Sequence, residues 1–206
     1  MIKTQNNYLI QVQQAKARFL TYDLSALLNK HLPLSVEGDW LVTAFLRRPY
    51  RIHRTSGNIE KRTATGWEDG NQFPEVLTLL DLICDSRPDR HLSGQWKSME
   101  AFGQMFHRSL LEDAPNPIAL RFDADPRSLQ AACVSMGGTP LPACDIGYAI
   151  ELFDGLKIGL QFWHGDEEFS PRIRYLWDEN ATMYLRYETM YYAVDLLMQR
   201  ILELCG

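Results

Sequence analysis

Three consecutive carboxylates, Asp166, Glu167 and Glu168, stand inside an aromatic and apolar run, FWHGDEEFSPRIRYLWD, from Phe162 to Asp178. Like charges held together repel, so water, arginines or a bound cation must offset them. Alternate residues of a strand share a face, so His164 and Asp166 point together, Glu167 points away and Glu168 returns if the strand continues. With Asp178 arriving from the following strand, Asp166 and Glu168 would form an oxygen-rich set suited to magnesium or calcium. The competing reading is a solvated acidic loop whose charges pair with Arg172, Arg174 or Arg186.

Two other groups of residues have chemical potential. Arg47, Arg48, Arg51, Arg54, Lys61 and Arg62 suit an anion, but strand alternation divides them between two faces, so they read mainly as edge-strand charges. Trp40, Trp67, Trp96, Trp163 and Trp177, with Tyr184, Tyr187, Tyr191 and Tyr192, suit a pocket lining and equally suit a core. Cys84, Cys133, Cys144 and Cys205 are far apart, lack any C-x-x-C pairing, and read as reduced, mostly buried thiols. Phosphate-cradling, dinucleotide, zinc-helix and nucleophile-elbow motifs are all missing.

These residues must be positioned by one core, because 206 residues with 46% hydrophobic content and no Ser/Gly/Pro-rich linker predict a single domain, 1–206. A net charge of -5 argues against nucleic acid. The polar start and the lack of a long apolar run argue against secretion and a membrane, so the expected compartment is the cytoplasm.

Apolar spacing predicts a long helix over 6–29, with Ile10, Ala17, Leu20, Leu24 and Leu27 inward and Lys16, Arg18 and Asp23 in water. Trp40–Leu46 and Tyr50–Thr55 read as a hairpin or meander about Pro49. Pro74 starts a helix running to Cys84, and 99–111 reads as a helix with Phe102, Met105, Phe106 and Leu110 inward. Asp125-Pro126 caps another helix that Gly137-Gly138 ends, with Leu129, Cys133 and Met136 inward. Strands 147–153 and 156–163 turn at Asp154-Gly155, and Ile173–Trp177 adds a third. A last helix spans 188–204. The expected class is α+β: an antiparallel sheet with β-hairpins packed against several helices, with long helices near both termini.

Phe122-Asp123-Ala124-Asp125-Pro126, Leu129, Gly137-Gly138, Asp145 and the run Trp163–Asp178, taken in order, resemble domain-of-unknown-function family 3786, a set of uncharacterised prokaryotic proteins. Leu92-Ser93-Gly94-Gln95-Trp96 is similar to that family's central Thr/Ser-Gly-x-Trp segment, and Leu185–Glu188 to the start of its last helix. The acidic D-E-E-F-x-P motif at Asp166–Pro171 is the specific part. The resemblance implies no particular activity, cofactor or substrate. Some of the family's proteins carry an added iron-sulfur-binding segment, and this chain has no such cysteine cluster. Ser170, Trp177, Arg186-Tyr187 and His164 depart from the family's usual residues.

The leading expectation is a non-catalytic binding or accessory module, with ligand contacts at Trp96, Trp163, Glu167 and Glu188. No catalytic residue and no cofactor are expected. The partner is an unknown protein or small molecule, and self-association as a homo-oligomer stays open. The alternative is a hydrolase assisted by magnesium or calcium on Asp166, Glu168 and Asp178, with metal-bound water as nucleophile.

Overall fold

A computed structural model describes residues 2–103 and 116–205 and places them in an α+β architecture with two five-stranded antiparallel sheets. The chain forms two compact units, Met1–His91 with Asn180–Leu196, and Leu92–Glu179 with Leu197–Gly206. No described helix is long and apolar enough to cross a membrane.

The first unit holds a meander of β1 (Ser35–Glu37), β2 (Trp40–Phe45), β3 (Arg48–His53), β4 (Ile59–Arg62) and β5 (Trp67–Asp69), in that order across the sheet. Leu41, Phe45, Tyr50, Ile52 and Ile59 alternate onto its buried face. The β2–β3 turn is Leu46-Arg47, both in the left-handed region at φ 48° and 56°. Pro49 is therefore inside β3, opposite Ala44 and beyond the residues of β3 that pair with β4. Arg51 projects from the middle of the sheet's outer face, between the rings of Trp40 at 4.3 Å and Trp67 at 4.6 Å. Its partner across β4 is Glu60. Arg51 is thus held in a cation–π stack on a central strand, whereas an edge-strand charge was expected.

The predicted opening helix is two: α1 (Ile2–Phe19) and α2 (Leu24–Leu28), separated by a turn and restarted by Asp23, whose carboxylate accepts from the Ala26 amide. α1 lies along α3 (Phe73–Asp85). Ala15 and Phe19 form its buried side, while Leu27 enters the core from α2. Ile10 and Leu20, expected inside, are each 44% exposed, and Ala17 is exposed too. Lys16 and Arg18 turn inward instead, because partners wait there: Asn58 and Asn71 for the amine, Asp81 and Asp85 for the guanidinium. α3 carries Pro74 in its first turn, as its sequence predicts, and is buried on nearly all sides.

The second unit holds a sheet ordered β6 (Trp96–Ser98), β10 (Arg172–Asp178), β9 (Leu156–Trp163), β8 (Ile146–Phe153) and β7 (Thr139–Pro140). β8 and β9 form the expected hairpin, with Asp154 and Gly155 at φ 51° and 79° in the turn. β10 adds the expected third strand. α4 (Pro117–Ala124), capped by Asn116, joins α5 (Pro126–Ser135), capped by Asp125. Leu129, Cys133 and Met136 are buried as predicted. Met99–Ala101 is a single 3-10 turn, and residues 104–111 of the helix predicted there lie outside the described residues. α6 (Tyr187–Cys205) gives its first ten residues to the first unit and the remainder to the second.

Candidate functional site

β9 ends at Trp163 and β10 begins at Arg172, so residues 164–171 must turn the chain through a hairpin, and three aspartates shape them. Asp145, just ahead of β8, accepts the His164 amide at 2.8 Å. Asp123, in the last turn of α4, lies 2.7 Å from His164 Nδ1 and accepts the Gly165 amide at 3.3 Å. Asp166 closes the tip, with one carboxylate oxygen accepting the Glu168 and Phe169 amides at 2.8 and 2.7 Å. Its own amide donates to the Phe169 carbonyl at 2.9 Å. These bonds favour the ionised form, so the amides of Phe169 and then Glu168 hold the Asp166 pKa below its ordinary value. A Cβ on Gly165 would meet Pro171 Cδ at 2.8 Å, so glycine is what lets the two arms of the turn touch.

Around this turn lies an open cleft of about 540 Å³, lined by Asp123 and residues 165–171. Glu167 and Glu168 are exposed on its rim, and Phe169 is 70% exposed. The arginines expected to balance the acidic run are not there. Arg172 lies over the Trp163 ring at 4.4 Å, and Arg186 binds Asp85 at 2.7 Å in the first unit. Among the described residues, no salt bridge joins Arg172, Arg174 or Arg186 to residues 166–168. Backbone amides do for Asp166 what guanidinium groups were expected to do.

The structure does not bring Asp178 to Asp166 and Glu168. The length of β10 separates them, about 20 Å from the first to the last of its seven residues at about 3.3 Å per step. Asp178 is 7% exposed and accepts the Ser93 amide and hydroxyl at 3.0 and 3.1 Å and the Gly94 amide at 2.8 Å. It anchors the loop that leads into β6. Among the described residues, no group of three or more His, Cys, Asp or Glu is placed to hold a metal ion.

The four residues expected to contact a ligand are likewise distributed. Trp96 pairs with Asp178 on β6, at the end of the sheet away from the acidic turn, where Gly159 leaves room for its ring. Trp163 stands beside the turn, opposite Arg172. Glu167 is in the turn. Glu188 is exposed on the part of α6 that belongs to the first unit.

Elsewhere, the buried acidic residues of α3 tie it to strands and to other helical segments. Glu75 accepts from Tyr50 Oη at 3.0 Å and Lys61 Nζ at 2.9 Å. Asp81 takes Arg18 at 2.5 Å and the Thr189 hydroxyl, and Asp85 takes Arg18 and Arg186. All four cysteines are free, and burial pushes the Cys84 and Cys133 thiols up to about 12, which makes them poor nucleophiles.

The model of a family described as Domain of unknown function (DUF3786) matches residues 26–200. That span includes the whole acidic turn with Asp123 and Asp145, and it begins after α1. No curated protein and no solved structure matches the chain.

Proposed function

This chain belongs to the DUF3786 family, and from that premise we propose that it is a non-catalytic binding module whose contact point is the tip of the acidic turn. One observation carries the reading: Phe169 is 70% exposed on a turn whose backbone is fixed by Asp123, Asp145 and Asp166. A large aromatic ring left in water on a pre-shaped loop is the kind of anchor that binding sites use, because little freedom remains to be lost on contact. Glu167 and Glu168 beside it define the partner's chemistry: an apolar pocket rimmed by lysine or arginine. Asp123, Asp145 and Asp166 each give one carboxylate oxygen to backbone amides or the His164 imidazole, a use that suits shaping the loop.

A photo-crosslinking residue placed at Phe169 in cells tests this, with Val134, 60% exposed, as the control. A discrete adduct at 169, missing at 134 and weakened by Glu167→Lys with Glu168→Lys, is the expected result. No adduct above the control would remove the contact point.

A further inference from the structure

We infer that two copies of this chain pair through the β9–β10 hairpin, the acidic turn of each lying on Arg172 and Arg174 of the other. The inference rests on the contact point assigned to the acidic turn and names its partner. Residues two apart on a strand share a face, so Arg172 and Arg174 stand about 7 Å apart on one side of β10, opposite Trp163 and Gln161 of β9. Both arginines are exposed. Arg172 rests its flat face on the Trp163 ring at 4.4 Å, which leaves its N–H edges for carboxylates. Among the described residues, Arg174 has no ion pair or hydrogen bond from its side chain, and the same holds for Glu167 and Glu168.

The hairpin does not satisfy itself. Asp166 ties the Glu168 and Phe169 amides, and Gly165 lies against Pro171, so the turn keeps its shape beyond the strand ends and its carboxylates stay off the arginines behind them. α4 grips the turn from the other face. Asp123 meets His164, whose ring packs on Phe162, and Phe162 faces away from Trp163.

Charge complementarity identifies the occupant. An acidic tip with an exposed aromatic ring calls for cations beside an apolar surface, and Arg172, Arg174 and Trp163 supply both a few residues away. One half of the contact is at the tip and the other at the stem, so two hairpins laid antiparallel make it twice. The two-fold axis then falls between Phe169 and Arg172, near Pro171, and neither the carboxylates nor the arginines meet their own copies. Parallel pairing sets like charge on like charge. Edge-to-edge pairing of β10 about Ile173 does the same, with Arg172 against Arg174. The contact is small and its charges are exposed, so a micromolar, salt-sensitive dissociation constant is expected.

Sedimentation velocity of the full chain from about 1 to 100 μM tests the pairing. Wild type should pass from monomer to dimer, and raising salt from about 50 to 500 mM should weaken the dimer about tenfold. Glu167→Lys with Glu168→Lys reverses the tip, and Arg172→Glu with Arg174→Glu reverses the stem. Each double variant alone should lose about tenfold or more, because like charges then meet in both contacts. The equimolar mixture should regain a dimer within about threefold of wild type, since a reversed tip meets a reversed stem and an ordinary tip an ordinary stem. If the stem variant fails to fold, Arg174→Glu alone takes its place with the same expectation. Wild type that stays monomeric, a mixture that restores nothing, or an assembly that grows beyond two copies overturns the pairing. Crosslinking at residue 169 separates this inference from the reading beneath it. An adduct of twice the chain's mass is expected, whereas an adduct to a different protein, beside a monomeric purified chain, overturns the second copy and leaves the contact point standing.

Discussion

Asp166 is the residue on which the shape of the acidic turn depends. It looks like part of a repulsive triplet, but its oxygen takes two backbone amides, so its charge is used within its own turn. The folded pKa is lowered from 3.8, and the linkage sign follows from that. The folded state holds this proton less tightly than the unfolded chain, so the stabilisation is fully present above 3.8 and is lost as pH falls through the folded value. Asp166→Asn should therefore be less stable than wild type at neutral pH, and the gap should close in acid below 3.8. Urea unfolding at several pH values checks this, and a gap that is constant with pH would show that the charge is not what the amides bind.

At the scale of elements, the hairpins show what sequence can and cannot say. Asp154-Gly155 announces its turn because aspartate and glycine tolerate positive φ, and the pairs Asp125-Pro126 and Gly137-Gly138 announce α5 for similarly local reasons. Leu46-Arg47 announces nothing, yet it adopts the same left-handed geometry at a cost that residues with a Cβ normally avoid. Arg47→Gly relieves that cost at an exposed position, and should raise stability by about 0.5–1 kcal/mol and the melting midpoint by about 1–4 °C. Differential scanning calorimetry reads the shift, and a lowered midpoint would mean that Arg47 makes a contribution beyond its backbone.

Other elements were hidden for physical reasons. Asn116-Pro117 is a cap and first-turn proline of the same kind as Asp125-Pro126, but a helix of only eight residues has little apolar period to support it. α1 has the period, but periodicity says that a face is apolar without saying what will cover it. The acidic turn was legible as a turn. The aspartates that hold it were not, since Asp145 and Asp123 act across 19 and 41 residues of sequence. Asp123 and Asp145 did both stand among the residues that resemble the family, which is the signal that could have pointed to them.

Across the molecule, one cluster of charges joins distant parts of the sequence on α3. Arg18 of α1 reaches both Asp81 and Asp85 of α3, and Arg186 and Thr189 reach the same carboxylates from the other end of the sequence. Asp81 is 7% exposed at its side chain and Arg18 25%, so removing the guanidinium leaves a nearly buried charge without its main partner. Arg18→Met should cost about 2–4 kcal/mol at neutral pH, toward the lower end because the arginine is partly solvated. Burial already raises the Asp81 pKa above 3.8, so the folded state holds that proton more tightly than the unfolded chain. Stability from this group accordingly falls as pH rises through that window, and Arg18 limits the fall. The deficit of the variant should thus shrink near pH 3.8 relative to neutrality, which chemical denaturation at the two conditions would show. A pH-independent deficit would point to lost packing instead.

The stack of Trp40, Arg51 and Trp67 also gives the molecule a built-in optical reporter. The first unit's two indoles, Trp40 and Trp67, both lie within 5 Å of one guanidinium, whereas the second unit's Trp177 is fully enclosed. Indole emission shifts to the blue in an apolar enclosure and to the red in polar surroundings, and the second unit's other indoles, Trp96 in water and Trp163 under Arg172, share the polar surroundings of Trp40 and Trp67. The blue edge of a single fluorescence spectrum followed through unfolding therefore times the opening of the core around Trp177, without a label.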